Sequence, residues 1–125
     1  MKYFWAMKKT LVLGASDNPS RYSYLAVERL RDKGHPVVAV GKKEGKIGDI
    51  SILTGQPIEN DIDTVTLYLN PSLQVASYDY ILRLNPRRVI FNPGTENPEF
   101  EEILASRGIE PVEACTLVML AAGNY

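Results

Sequence analysis

Apolar and polar positions along this chain follow two alternating rhythms. Short unbroken apolar runs stand at TLVLG (10–14) and PVVAVG (36–41), with weaker ones at TVTLYL (64–69), RVIFN (88–92) and IEPVEA (109–114). Runs of this length mark strands buried on both faces. Between them, apolar residues recur at helical spacing. The pattern predicts a helix over 19–33, with Ala26, Val27 and Leu30 on one face and Gly34 as its stop. A second covers 71–84 and places Leu73, Ala76, Tyr80 and Leu84 along one stripe. A third covers 97–107, opened by Asn-Pro and closed before Gly108, and a short fourth covers 116–122.

The segment 42–60 breaks this rhythm, being rich in glycine and charge. It reads as a mobile loop region holding at most one short strand or turn. Strand–helix alternation in one domain over 1–125 predicts an α/β doubly wound parallel sheet with helices on both faces. Five strands are expected, in the order 3-2-1-4-5. The opening residues 1–7 form an extension, read as a packing or dimer strand, which leaves a homodimer or another protein partner open.

Composition narrows the classes of function. A net charge of −1 gives no long-range attraction to nucleic acid or to an anionic membrane, so any bound anion must be held by local geometry. The single cysteine excludes an internal disulfide and fits a reducing, cytoplasmic setting. The apolar start MKYFWAM is too short for a signal-peptide core, and no apolar stretch reaches the length that spans a bilayer.

In open parallel sheets, ligands bind beyond the carboxyl ends of the strands. Those ends read Gly14-Ala15-Ser16, Gly41-Lys42-Lys43, Asn70-Pro71, Asn92-Pro93-Gly94 and Ala114-Cys115. The first is the most telling. Asn18 suits a helix cap and Pro19 the first helical position, so backbone N–H groups from Ser16 to Ser20 are expected to face the space above Gly14. The helix dipole there favours an anion, with Ser16 and Arg21 able to donate to a phosphate. Asp17 opposes this unless it turns outward. A well-capped helix after a buried strand would carry the same signature without any ligand.

The glycine fingerprint of NAD sites is absent, since Ser16 and Pro19 stand where its later glycines belong. Nor does an acid end the second strand, where Lys42 and Lys43 precede Glu44. Lysines there suit a ribose bearing an extra phosphate, at the 2′ position in NADP or the 3′ position in coenzyme A.

VLGASDNPSRYSY, VVAVGKK, TLYLNP and the closing stretch VIFNPGTENPEFEEILASRGIEPVEACTLVML together resemble the small stand-alone CoA-binding domains. These are Rossmann-like and similar to the amino-terminal domain of the succinyl-CoA synthetase alpha subunit. The resemblance spans roughly residues 8–120. It implies that Gly14, Ala15, Ser16, Asp17 and Asn18 lie along a pyrophosphate, and that Lys42, helped by Lys43, meets the phosphorylated ribose. It further implies that Leu69, Asn70 and Pro71 flank the nucleotide, while Phe91, Asn92, Pro93 and Gly94 line the path of the pantetheine arm. Many relatives carry Asn-Pro where this chain has Gly41-Lys42, so the adenosine side departs from the pattern.

Candidate catalytic groups are few. His35, the only histidine, precedes the second strand and so belongs to the opposite end of the sheet, as a fold-supporting or exposed residue. Cys115 sits at the right end but has no histidine to activate it, and reads as a small apolar side chain. No metal-ligand spacing occurs. The tyrosines of YSY and YDY read as half-buried helix contacts. Three readings stay open: non-catalytic binding of CoA or an acyl-CoA, a small NADP-dependent oxidoreductase or its remnant, and a structural subunit with an empty groove.

Overall fold

The computed structural model describes residues 7–125. Met1–Ala6 lie outside the described residues, and with them nearly all of the expected amino-terminal packing strand. Seven strands form one sheet: β1 (Thr10–Leu13), β2 (Val37–Val40), β3 (Gly45–Ile47), β4 (Ile50–Leu53), β5 (Thr64–Leu67), β6 (Arg88–Phe91) and β7 (Glu110–Glu113). The fold is α/β and Rossmann-like, with a mostly parallel sheet.

The five expected strands are all present, but their count and order need correcting. The observed order is β3-β4-β2-β1-β5-β6-β7. The place beside β2 belongs to β4, from the segment read as a loop, and the expected third strand (β5) pairs with β1 instead. The hairpin was hidden because each of its strands is short and shows only one buried residue, Ile47 in β3 and Ile52 in β4. Its turn is Gly48-Asp49, with Gly48 at φ +61°, a conformation only glycine adopts without cost. Among the described residues β3 is the only antiparallel strand, and all other neighbours in the sheet are parallel.

Residues of β1 alternate between two cores, as a pleated strand requires. Leu11 and Leu13 join Val65, Leu67, Ile81, Phe100 and Leu104 on one face. Val12 joins Val27, Leu30, Ile47, Ile52 and Leu120 on the other. Helices α1 (Tyr22–Asp32) and α5 (Thr116–Ala122) therefore cover the second face, and α3 (Tyr78–Leu84) and α4 (Pro98–Ser106) cover the first.

Two helices differ from expectation at their starts. α1 begins at Tyr22, three residues beyond Pro19, with Arg21 at its cap position and no side-chain cap. Asn18 does not cap it. Its Oδ1 accepts from the Ser20 N–H (3.0 Å) and the Ser20 hydroxyl (2.8 Å), so the chain makes a local turn instead. The stretch 71–84 is not one helix either. A four-residue α2 (Pro71–Gln74) passes through a 3₁₀ turn (Val75–Ser77) into α3. This shifts the helical register, so Leu73 is 53% exposed and Gln74, Tyr80 and Ile81 take the buried positions. No helix among the described residues is long and apolar enough to cross a membrane.

Candidate functional site

A cleft of about 900 Å³ opens over the carboxyl ends of β1, β2 and β5. This is the point where the chain changes sides, since β1 leads into α1 on one face and β5 into α2 and α3 on the other. Ligand crevices in such sheets form at this kind of switch, and the volume suits a nucleotide-sized molecule.

The floor requires glycine twice. Gly14 adopts φ +97°, and a Cβ there would lie 2.9 Å from the Tyr68 carbonyl oxygen. Gly41 lies against the Ala15 carbonyl with no room for a side chain. The N–H groups of Gly14 and Ala15 both donate to Val40 O at 2.9 Å, tying the loop to β2. Those two amides are spent.

The expected run of open amides from Ser16 to Ser20 is also interrupted. Asn18 N–H donates to Ser16 Oγ at 3.1 Å, Ser20 N–H donates to Asn18, and Pro19 has no N–H. Among the described residues, the N–H groups of Ser16, Asp17, Tyr22 and Ser23 meet no protein acceptor. Two belong to the loop and two to the first turn of α1, where N–H groups lack helical partners. All four residues line the cleft, with Asn18, Ser20 and Arg21 between them.

Lys42 and Lys43 line the cleft from the end of β2. Both are exposed, and among the described residues neither pairs with a carboxylate. Asp17 turns towards Gly45, the first residue of β3. Its Oδ2 lies 2.7 Å from where a Cβ on Gly45 would stand.

Leu69 lines the opposite wall with Tyr68 and Leu73. The other six expected site residues lie outside the lining. Asn70 caps α2 by accepting from Leu73 N–H at 3.0 Å, and Pro71 follows as the first helical residue. Phe91 is fully buried against Phe100. Asn92 is 2% exposed, donating to Thr66 Oγ1 (2.7 Å) and Leu67 O (2.8 Å) and accepting from Thr116 N–H (2.9 Å). With its side-chain groups engaged, it is a fold residue that ties β5 and β6 to α5. Pro93 and Gly94 are exposed beyond it, and Gly94 N–H donates to Glu96 at 2.9 Å. The cleft thus stops at β5.

Lining residues that sequence reasoning missed are Leu13, Tyr22, Ser23, Val40, Gly55, Tyr68 and Leu73, while Ser20 was expected only as the last of the loop amides. Ser20 and Ser23 flank Arg21 and were within reach of the loop argument. Tyr22, expected as a half-buried contact, is 72% exposed at the cleft. Among the described residues the buried Tyr68 hydroxyl meets no hydrogen-bond partner, and burial pushes its pKa up. Cys115 is half-buried and outside the lining. His35 sits at the far end of the sheet, where Nδ1 accepts from Lys8 N–H at 2.9 Å.

Comparison with known proteins places this geometry. A solved structure of an uncharacterized protein is 56% identical, covering 95% of this chain and 98% of its own, with a TM-score of 0.93. The structure of cell-free ID.343 from Thermus thermophilus is 25% identical over 99% of this chain and 95% of its own, TM-score 0.84. A hypothetical protein from Pyrococcus horikoshii OT3, 21% identical over 97% of this chain and 87% of its own, shares the fold with a TM-score of 0.84. No curated protein matches in sequence. The family model of the CoA binding domain matches residues 8–121. With nearly the whole chain matched, this protein belongs to the CoA binding domain family.

Proposed function

We propose that the cleft binds coenzyme A or an acyl-CoA and performs no chemistry on it. The observation that carries this reading is the pairing, in one cleft, of four N–H groups around the start of α1 with two lysines, none of them engaged by another group among the described residues. Amides at a helix start favour a diphosphate. Lysines at the end of β2 favour a phosphate on the adjacent ribose. The pantetheine arm then runs over Tyr68, Leu69 and Leu73, whose apolar surface suits it. Among the described residues the cleft lining holds no histidine or cysteine, and Asp17 is its only carboxylate. That inventory supports a carrying, sensing or regulatory role.

Titration calorimetry with CoA, dephospho-CoA and NADP tests the reading. CoA is expected to bind more tightly than dephospho-CoA, and more tightly than NADP. Tighter binding of NADP would favour the oxidoreductase reading, and no heat from any of the three would favour a structural subunit.

A further inference from the structure

We propose that Asp17 is the sugar-reading residue of this cleft, accepting a hydrogen bond from the ribose hydroxyl that neighbours the phosphate met by Lys42 and Lys43. This rests on the CoA reading above and deepens it. Dinucleotide sites in sheets of this kind take the ribose hydroxyl on an acid at the end of the second strand. Here that end is Gly41-Lys42-Lys43, and no acid occupies it.

The β1 loop supplies one instead. Asp17 lies against Gly45, two residues beyond Lys43, with Oδ2, Cγ and Cβ at 2.7, 3.2 and 3.3 Å from the place of a Cβ there. The absent side chain at Gly45 makes room for the carboxylate. Asp17 is exposed, lines the cleft, and its carboxylate has no hydrogen-bond or ionic partner among the described residues. An unpaired acceptor in the same cleft as two lysines suits a sugar bearing one phosphate and one free hydroxyl. The hydroxyl donates to Asp17, and the lysines take the phosphate that Asp17 would repel. In CoA the free hydroxyl is at the 2′ position.

The test uses calorimetry on the full chain with adenosine 3′,5′-bisphosphate and its 2′-deoxy counterpart, with CoA as reference. Wild type is expected to prefer the ribose form by about tenfold, the range of one hydrogen bond to a charged group. Asp17→Ala is expected to bring that preference to about one. Gly45→Ala, which swings Asp17 aside without touching its charge, is expected to do the same. If only charge mattered, Asp17→Ala would tighten both ligands equally and keep the ratio, which overturns the assignment. No ribose preference in wild type overturns it too, while the CoA reading stands. No binding of CoA by wild type removes that reading itself.

Discussion

The carbonyl oxygen of Ala15 occupies the space where a side chain on Gly41 would begin. This contact holds the β1 loop against the end of β2, so the unengaged amides and the two lysines share one cleft. Gly41→Ala forces backbone away from backbone, with no flexible side chain to yield. We expect a loss of about 1–3 kcal/mol of stability, the usual cost of overpacking, together with weakened CoA binding. Urea denaturation and calorimetry on the same variant check both. Unchanged stability would contradict the contact.

Lys42 and Lys43 are exposed, so their removal should leave folding intact and act on ligand alone. Each lysine is expected to contribute about threefold to the preference for CoA over dephospho-CoA, as exposed ion pairs do. The double variant Lys42→Ala/Lys43→Ala should therefore lose about tenfold for CoA and little for dephospho-CoA. An equal loss for both would assign the lysines to the diphosphate instead.

Asn92 provides the opposite case. Its amide joins β5, β6 and the start of α5 through three hydrogen bonds. Asn92→Ala leaves buried partners unsatisfied and is expected to cost about 2 kcal/mol or more. CoA affinity of the folded fraction should stay within about twofold of wild type. A large affinity loss at unchanged stability would extend the site to β6.

His35 gives the fold a pH dependence. Burial lowers its pKa below the ordinary value, Lys8 and Arg88 push the same way, and Asp63 opposes them. The unfolded chain therefore takes up the proton first as pH falls. The stabilisation is complete above about 6.5, the unperturbed histidine value, and is lost as pH drops through the lower folded value. Urea midpoints should fall more between pH 7.5 and 5 for wild type than for His35→Gln. Equal falls would contradict this.

Asn-Pro shows what was legible in the sequence and what was not. Asn97-Pro98 was read as a helix start and is one: Asn97 Oδ1 accepts from Phe100 N–H at 3.1 Å, and α4 runs Pro98–Ser106. Asn18-Pro19 carries the same signal but turns instead, because Ser20 offers both a hydroxyl and an N–H to Asn18. Local competition of this kind depends on a neighbour's rotamer, which spacing does not encode. The β1 and β2 runs were readable because unbroken apolar stretches wrote them into the pattern. The β3–β4 hairpin was not, since two buried isoleucines among glycines and charges carry too little period. The β1 loop and both lysines line the cleft at the strand ends where the sequence argument puts a ligand. The β6 end lies outside the cleft lining, and Asn92 faces inward to Thr66 and Thr116, a tertiary choice that spacing does not encode.

The central claim is that a diphosphate sits at the start of α1, and amide NMR during a CoA titration reads it directly. Saturable shifts are predicted at Ser16, Asp17, Tyr22 and Ser23, with Lys42 and Lys43 following and Gly94 and Thr95 unmoved. No saturable shift at those four amides, or shifts gathered at Gly94 and Thr95 instead, would contradict the account.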